Sequence, residues 1–597
     1  MYYFNSRDEY YKKPFGAVKE MTEVIFSVSG RDADTAPLLC IKKDGGFEQY
    51  VEMQRRSKDN RTIFVAKHTF TEPGLYFYRF NIAYGDDLYN NGKGETVATQ
   101  DGEWFIQTVY SKEFSTPDIY KGGILYQIFP DRFCEGRKKD NLSFPDRVYR
   151  EDKRGLPFYK WGAGETEKIN TDYFGGDFEG IIQQLGYLSS YGVNCIYLNP
   201  IFLAHSNHRY NTADYTKPDP ELGSMEDFKR LCKAARENGI RIILDGVFSH
   251  TGSDSIYFNK EGRYGNGGAY NDENSPYRKW YDFDPKYKNG YRAWWDFETL
   301  PEVDESSPEY IEYICGEGGI IDRWLSRGAS GFRLDVADEL PDEFISQIRQ
   351  AVKRNGEDKL LIGEVWEDAV TKISYSKRRQ YLLGKGLDSV MNYPFRGAVL
   401  DFIKNGDGDK FCQTVFSIYE HYPKQALESA WNSLSTHDTP RALTVLSDDY
   451  KENISREDQA KESISPENYG KAAQDLVCAY ALLFSLPGIP CIYYGDEAGM
   501  QGYKDPFNRS FFPWGAADGY IRRNIRYIAS FRTQHDVYAK GGIHFVHVSY
   551  NAVAFVRFSE NKEVLTAVNR GEEHLSFYYN DREYYVPPHG YINAVTK

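Results

Sequence analysis

The sequence lacks any apolar run near the ~20 residues that span a membrane, and its N-terminus has no apolar stretch of signal-peptide length. It also lacks long Lys/Arg runs, and its formal net charge of −14 would repel phosphate backbones. The 8 cysteines are scattered, without a CxxC pair or metal-finger spacing, and fit thiols in a reducing compartment. These absences predict a cytoplasmic protein with no membrane or nucleic-acid partner.

The sequence does contain enough residues for several domains and a large share of aromatic side chains. Its 597 residues exceed the ~250–300 at which one hydrophobic core stops growing. Hydrophobic residues make up 41% and charged residues 27%, as in ordinary globular proteins, whereas aromatic residues reach 16%. Tyr and Trp combine an apolar face with a polar group, which suits sugar rings as well as protein cores.

The pattern of apolar residues changes along the chain. Residues 1–115 contain short β-branched and aromatic runs between Gly and Asp clusters, which predict an N-terminal β-sandwich module. Residues 116–530 alternate eight apolar runs with helical patterns and predict an α/β fold, the (β/α)8 barrel. Within it, the irregular residues 249–306 predict a lid domain inserted after strand three. Residues 531–597 predict a C-terminal β-sandwich domain.

Charged side chains collect at the carboxyl ends of the predicted barrel strands, where such barrels hold their reactive groups. The ends of strands three, four, five, seven and eight carry, in that order, Asp245 with His250, Arg333 with Asp335, Glu364, His437 with Asp438, and Asp496 with Glu497. Because a protein core tolerates such charges only when they are paired or used, we expect a shared polar pocket.

Two of these residues point to a reaction. Arg333 and Asp335 are two residues apart and lie on one side of a strand, where the guanidinium is expected to lower the pKa of Asp335. An ionised carboxylate beside a protonated one is what glycosidic cleavage needs. Asp335 would attack the anomeric carbon while Glu364 protonates the leaving oxygen. His437 and Asp438 would hold sugar hydroxyls more strongly as the oxocarbenium-like transition state forms.

Two other interpretations use the same residues. Asp245, Asp335 and Glu364 on successive strands would also suit Mg²⁺, as in enolase-type lyases and isomerases. Arg333 beside the metal and the lack of a Lys at neighbouring strand ends disfavour that site. A non-catalytic glucan-binding protein would rely on aromatic residues alone, and the complete set of charged residues disfavours it. Substituting Asp335 or Glu364 separates an enzyme from a binding protein, because only activity would vanish.

Several longer motifs contain these residues. They are DGVFSH (Asp245–His250), GFRLDVADE (Gly331–Glu339), GEVW (Gly363–Trp366) and LSTHD (Leu434–Asp438). In this order and context they resemble four sequence regions of glycoside hydrolase family 13, the α-amylase family. YFGGDFEGI (Tyr173–Ile181) and STHDTPRALT (Ser435–Thr444) resemble the neopullulanase, cyclomaltodextrinase and maltogenic amylase branch, in which a similar β-module precedes the barrel. The resemblance covers residues 118–597, with residues 249–306 as domain B.

The resemblance implies a retaining α-glucan hydrolase that cleaves α-1,4 bonds of maltodextrins, cyclodextrins or pullulan. The alternative within the family is α-1,6 cleavage, as in pullulanase or oligo-1,6-glucosidase. The implied roles are Asp335 as nucleophile, Glu364 as acid/base and Asp438 as transition-state stabiliser. The implied substrate-binding residues are His250, Arg333, His437, Tyr210, Asp245, Trp366, Asp505 and Arg509. Among them, Asp245 is expected to brace Arg333 rather than to touch substrate.

Other expectations follow from the branch and from departures from it. LPEVD (Leu300–Asp304) and Asp338 replace the branch's Met-Pro-Lys-Leu-Asn and the Asn of Val-Ala-Asn-Glu, which leaves the bond preference open. Trp294 and Trp295 either stack on glucose or anchor the lid. The branch also implies a homodimer formed through the N-terminal module.

A further departure concerns calcium. Where relatives bind calcium near the first strand, the candidate ligands here are Glu135, Asp140, Asn141, Gly175 and Asp177. Arg137, in the same stretch, has the wrong charge for a Ca²⁺ ligand. We therefore predict that this site is absent or much weakened and that no cofactor is required.

Overall fold

The computed structural model describes residues 2–31, 35–58, 61–83, 85–139, 142–161 and 167–597. The chain divides into two compact units. The first comprises Met1–Thr116, Glu367–Ser389 and Cys412–Leu427, and the second comprises Pro117–Trp366, Val390–Phe411 and Glu428–Lys597. None of the helices within the described ranges has the length and apolarity needed to cross a bilayer.

Two mostly antiparallel sheets pack together in the first unit. One sheet orders its strands as Lys12–Lys13, Thr22–Gly30, Arg61–Phe70 and Gln54–Lys58. The other contains Val18–Lys19, Leu38–Lys43, Gln49–Glu52, Gly74–Asn81, Asp87–Asn90, Thr96–Thr99 and Phe105–Tyr110. Alternate residues of the first sheet, Val24, Phe26 and Val28, are buried, and the Phe26 ring lies 5.0 Å from that of Tyr78 in the second sheet. This aromatic core confirms the predicted N-terminal β-sandwich.

Eight parallel strands form the barrel. They are β1 (Ile124–Ile128), β2 (Val193–Leu198), β3 (Arg241–Gly246), β4 (Gly331–Leu334), β5 (Leu360–Gly363), β6 (Ser389–Val390), β7 (Trp431–Ser433) and β8 (Ile489–Tyr493). β1 to β6 pair in chain order, and β8 pairs with both β7 and β1. A parallel bridge from Met391 to Trp431 links the chain beside β6 to β7. The predicted (β/α)8 barrel is confirmed.

Helices connect most of these strands. Within the described residues they are Pro130–Phe133, Phe178–Gln183, Leu185–Ser189, Met225–Glu237, Pro308–Cys315, Ile320–Ser326, Asp342–Arg354, Tyr393–Asn405, Gly408–His421, Lys424–Glu428, Ala442–Leu446, Arg456–Gln459, Pro466–Ser485, Gly519–Thr533 and Val537–Lys540. The helix after β2 shows why they form. Ser224 and Asp227 form a reciprocal capping box at its start, and Phe228, Leu231 and Ala235 are its buried face.

The chain between β3 and β4 begins with an insertion that has little regular structure. It contains only the 3₁₀ turns Arg278–Trp280 and Trp294–Asp296 and isolated bridges such as His250 to Glu302. Aromatic side chains hold it together instead; the rings of Phe258 and Tyr291 are 4.7 Å apart. Because it follows the carboxyl end of β3, this insertion lies at the end of the barrel where active sites occur.

The last strands of the chain form a small antiparallel structure within the second unit. They are Gly542–Val548, Ala552–Phe558, Glu563–Asn569, Leu575–Tyr579, Arg582–Val586 and Gly590–Val595. The buried Arg557 donates hydrogen bonds to the carbonyl oxygens of Ser485 at 3.1 Å and Gly541 at 2.7 Å. Ser485 is the last residue of the helix before β8, so Arg557 connects the four-stranded sheet that contains Ala552–Phe558 to the barrel.

Candidate active site

One buried arginine organises the carboxyl ends of β3, β4 and β5. Arg333 Nη1 lies 2.9 Å from Asp245 Oδ1 and 2.8 Å from Asp335 Oδ1. Its Nη2 lies 2.9 Å from Glu364 Oε2. Three predicted residues from three adjacent strands thus share one guanidinium, which neutralises only part of their charge.

Strand pairing and a tight turn fix the positions of Asp335 and Glu364. The amide of Glu364 donates to Leu334 O at 3.0 Å, so both carboxyl groups begin one residue beyond paired strand ends. Val336, directly after Asp335, has a φ of 41°, a left-handed conformation that is rare for a β-branched residue. Its amide donates to Glu364 Oε2 at 2.9 Å. Strained backbone of this kind persists where the surrounding structure fixes it, and it concentrates at functional sites.

A hydrogen-bonded network lies beside this cluster. Tyr210 Oη donates to Asp245 Oδ2 at 2.8 Å and lies 2.5 Å from His437 Nε2. Tyr197 Oη donates to the same Asp245 oxygen at 2.6 Å. With Arg333 on its other oxygen, Asp245 occupies a bracing position under the site. Gln127 Nε2 lies 3.0 Å from His437 Nδ1, which fixes the imidazole ring from below.

Asp438 approaches the same ring nitrogen of His437 as Tyr210 does, and its side chain is partly exposed. Its Oδ2 is 3.0 Å from His437 Nε2, and its Oδ1 is 3.5 Å from Arg509 Nη2. Arg509 Nη1 pairs with Asp505 at 2.8 Å, and Arg509 Nε donates to His437 O at 2.9 Å. The loop after β8 therefore supports the loop after β7.

Burial and crowding shift the proton affinities of these groups. Burial raises the pKa of Asp335 well above its ordinary value. Arg333 does lower this pKa, as the sequence predicts, but burial and the charge of Glu364 outweigh it. Burial, with the charge of Glu364, raises the pKa of Asp438 to about 7. Burial also lowers the pKa of His250 to about 4 and that of His437 well below its ordinary value, so both rings are neutral at neutral pH.

A cavity of about 390 Å³ opens above these residues. Its lining residues are His208, Tyr210, His250, Trp294, Leu300, Asp335, Val336, Glu364, Trp366, His437, Asp438, Asp505 and Arg509. Of the predicted catalytic and substrate-binding residues, all but Asp245 and Arg333 line the cavity, and those two lie beneath it. The sequence did not indicate Leu300 or Val336 as lining residues, because their positions depend on the lid and on the turn after β4.

The candidate calcium ligands that the structure describes, Glu135, Gly175 and Asp177, are not among the residues that line this cavity, and their contacts do not suit a metal. Lys153 Nζ lies 3.4 Å from Glu135 Oε2 and donates to Phe174 O at 2.6 Å. Asp177 already accepts hydrogen bonds from three backbone amides, those of Gly136, Arg137 and Gly180. Arg137 itself pairs with Asp227 at 2.6 Å. Asp140 and Asn141 lie outside the described residues. Among the described ligand candidates, an ammonium group holds the carboxylate that Ca²⁺ would need.

Comparison with known proteins agrees with this geometry. Residues 127–539 match the family model described as alpha amylase, catalytic domain. The chain belongs to the α-amylase family. A cyclomaltodextrinase from Geobacillus thermopakistaniensis (strain MAS1) is 32% identical over 77% of this chain and 71% of its own length. An amylopullulanase from Thermoanaerobacter thermohydrosulfuricus is 34% identical over 93% of this chain and 40% of its own length. The chain thus spans less than half of the amylopullulanase relatives it matches.

Solved structures of this family share the architecture. The type III pullulan hydrolase from Thermococcus kodakarensis superimposes with a TM-score of 0.69 at 25% identity, covering 99% of this chain and 100% of that one. The cyclic α-maltosyl-(1→6)-maltose hydrolase from Arthrobacter globiformis gives 0.68 at 27% identity, covering 81% of this chain and 100% of that one. The family and branch resemblance inferred from the sequence motifs is confirmed.

Proposed function

We propose that this α-amylase family member is a retaining hydrolase of α-1,4 bonds in maltodextrins, cyclodextrins or pullulan. The observation that carries the proposal is the shared guanidinium. Asp335 and Glu364 lie 2.8 Å and 2.9 Å from neighbouring nitrogens of Arg333, so their carboxyl groups are close together. Retaining glycosidases need two carboxyl groups only ~5–5.5 Å apart, whereas inverting enzymes leave room for a water molecule between them.

The reaction divides into two steps. In the first, Glu364 gives its proton to the glycosidic oxygen while a carboxylate oxygen of Asp335 bonds to the anomeric carbon, and the leaving sugar departs as an alcohol. In the second, Glu364 accepts a proton from water, whose oxygen displaces Asp335 and releases the sugar. The Asp438 carboxylate accepts hydrogen bonds from sugar hydroxyls, and the neutral His437, whose Nδ1 accepts from Gln127, donates from Nε2 to a hydroxyl oxygen. These bonds strengthen as positive charge develops on the ring.

The substrate class rests on the similar proteins. Relatives named cyclomaltodextrinase, maltogenic α-amylase and neopullulanase 2 are 30–32% identical to this chain over more than three quarters of its length. A second candidate, α-1,6 cleavage, draws on relatives named amylopullulanase and on the replaced segment Leu300–Asp304, whose first residue lines the cavity. Pullulan distinguishes the two, because it joins maltotriose units through α-1,6 bonds.

The deciding experiment is product analysis after incubation with pullulan. Panose or isopanose as the product would support α-1,4 cleavage. Maltotriose as the product would overturn that assignment and show α-1,6 cleavage. Asp335→Asn should lose activity by at least about 10⁴-fold while staying folded, with a cooperative melting transition at or above the wild-type temperature. If wild-type protein releases no sugar from pullulan, maltodextrins or cyclodextrins, the proposed function is wrong.

We also propose that no calcium ion is needed near the first strand, because Lys153 already supplies the positive charge beside Glu135. The eight cysteines are buried thiols, which supports a reducing compartment such as the cytoplasm. The homodimer formed through the N-terminal module stays a prediction, which solution scattering checks.

A further inference from the structure

A single carboxylate beyond the pocket holds two tryptophans. The indole Nε1 of Trp294 donates to Glu339 Oε2 at 2.6 Å, and that of Trp295 donates to Glu339 Oε1 at 3.0 Å. Each indole has only one donor, and a carboxylate acceptor makes these bonds stronger than neutral ones. Both oxygens of Glu339 are thus committed to orienting two rings.

This carboxylate connects two loops of different origin. Glu339 follows β4, four residues after Asp335, whereas Trp294 and Trp295 belong to the insertion after β3. Trp294 lines the cavity, with its ring 5.6 Å from that of His250. The lid is therefore attached to the loop that carries the candidate nucleophile.

Trp295 has a strained backbone conformation and a side chain that faces solvent. Its backbone has φ 48° and ψ 35°, and the next residue, Asp296, has φ 60°, so two successive non-glycine residues are left-handed. Such strain persists only where surrounding contacts fix it, and the bond to Glu339 is such a contact. The side chain of Trp295 is nevertheless 76% exposed. Packing of the lid does not explain a large ring that is fixed in place and left open to water.

The position of this ring suits a sugar. The Trp295 centroid lies 6.3 Å from that of Trp294, so the two rings form a continuous aromatic path from the cavity to the surface. An apolar face with a fixed orientation is what stacking on a pyranose ring requires. A glucan that fits entirely within the cavity would contact Trp294 alone, whereas a longer or cyclic one would extend onto Trp295.

We propose that Trp295 is a stacking surface for a glucose unit outside the cavity, and that Glu339 is the positioning residue that holds it there. The inference rests on the proposed function and adds to it a preference for long or cyclic α-glucans. It assigns no chemical step to Glu339, whose two oxygens are occupied by the indoles.

The test compares Trp295→Ala and Glu339→Ala with a control, using maltotriose as the short substrate and cyclomaltoheptaose as the large one. Loss of one stacking contact is expected to raise the KM for cyclomaltoheptaose by up to about tenfold in each variant. In Trp295→Ala the KM for maltotriose should change by less than about threefold, since the short substrate does not reach the ring. Glu339→Ala also releases Trp294, which lines the cavity, and should therefore raise the KM for maltotriose as well. Trp161→Ala removes a tryptophan that is 64% exposed and absent from the cavity lining, and it should leave both KM values unchanged.

Two further measurements separate positioning from general loss of structure. For cyclomaltoheptaose the double variant Trp295→Ala/Glu339→Ala should be no worse than Glu339→Ala alone, because loss of the carboxylate already releases the Trp295 ring. In an Asp335→Asn background, cyclomaltoheptaose should change the tryptophan fluorescence less when Trp295 is replaced by Ala. Trp295→Phe, which keeps a ring but loses the indole donor, should recover part of the affinity.

The failures of the two proposals are distinguishable. If wild-type protein cleaves no α-glucan, the proposed function fails and this inference fails with it. If it cleaves both substrates but Trp295→Ala alters both KM values equally, or neither, only the stacking surface is wrong. If Glu339→Ala does not fold, Trp295→Ala alone decides, because it leaves the carboxylate in place.

Discussion

At the residue scale, carboxyl groups outnumber the positively charged side chains that they contact in the site. Asp245, Asp335 and Glu364 share Arg333, and Asp438 faces Arg509 at 3.5 Å. Burial opposes ionisation of these carboxyl groups, and like charges at such distances add to the effect. The raised pKa values of Asp335 and Asp438 follow first from burial and then from the charge of Glu364.

The raised pKa of Asp438 predicts the acid limb of the activity profile. A carboxyl group whose pKa is raised to about 7 loses its charge as pH falls through 7 rather than through 4. We therefore expect kcat/KM to decline below neutral pH. Arg509 lowers the pKa of Asp438, so Arg509→Gln should move this limb to higher pH. A pH profile of kcat/KM for both proteins checks the direction, and a limb that stays near pH 4 would contradict it.

Removal of one carboxylate should stabilise the fold while it abolishes function. A raised pKa in the folded state means that wild-type stability is lost as pH rises from about 4 to about 7. Asp438→Asn avoids this loss and should raise the free energy of unfolding at pH 8 by about 1–2 kcal/mol, a small value because water screens a side chain that is 32% exposed. Thermal unfolding at pH 8 and pH 5 checks it. An equal gain at both values would point to another cause.

At the element scale, strand ends were predictable and the turns and loops between them were not. Asp335, Glu364 and Asp438 each follow an apolar run within a recognisable motif, so the sequence located them. The left-handed turn at Val336 and the exposed ring of Trp295 depend on contacts with other segments of the chain. Local sequence patterns do not predict such contacts. Lys153 approaches Glu135 across an intervening loop, so the sequence indicated a poor calcium site but not the group that replaces the metal.

The loop that contains Lys153 offers a test without reference to catalysis. Lys153→Met removes the ammonium group that pairs with Glu135 and donates to Phe174 O, and it should lower the free energy of unfolding by about 1–2 kcal/mol. EDTA or added calcium should leave the wild-type melting temperature unchanged. The matched control, Lys229→Met, breaks the exposed pair with Glu226 and should cost less than about 0.5 kcal/mol. Metal analysis that found stoichiometric calcium beside Glu135 would overturn the proposal.

At the scale of the whole molecule, the C-terminal strands belong to the same compact unit as the barrel. The sequence predicted a C-terminal β-sandwich domain there, and strand alternation alone does not show which surface of the barrel it is attached to. Arg557 and Arg532 are both buried and donate to carbonyl oxygens at the end of the helix Pro466–Ser485, which leads into β8. We expect this attachment to make the barrel and the sheet unfold together.

Arg557→Met tests the attachment. The substitution keeps much of the side-chain volume but leaves the carbonyl oxygens of Ser485 and Gly541 without their donor, which should cost about 2–4 kcal/mol. In calorimetry the variant should show one unfolding transition at a lowered temperature, and activity should be lost at that same temperature. Arg582→Met, at an exposed arginine of the two-stranded sheet formed by Leu575–Tyr579 and Arg582–Val586, is the control and should leave the transition unchanged. A separate, earlier transition with activity retained would show that the sheet unfolds alone.

The stacking of Trp366 on Tyr393 has an optical consequence. The two rings are 3.9 Å apart and only 14° from parallel, while Trp366 is 44% exposed at the cavity. Ring transitions coupled at so short a distance produce a rotational strength in the near ultraviolet that depends on the angle between them. Arrival of a sugar on the open face of Trp366 would change that angle or its surroundings. The circular dichroism of the native chain therefore offers a label-free record of when this part of the cavity fills.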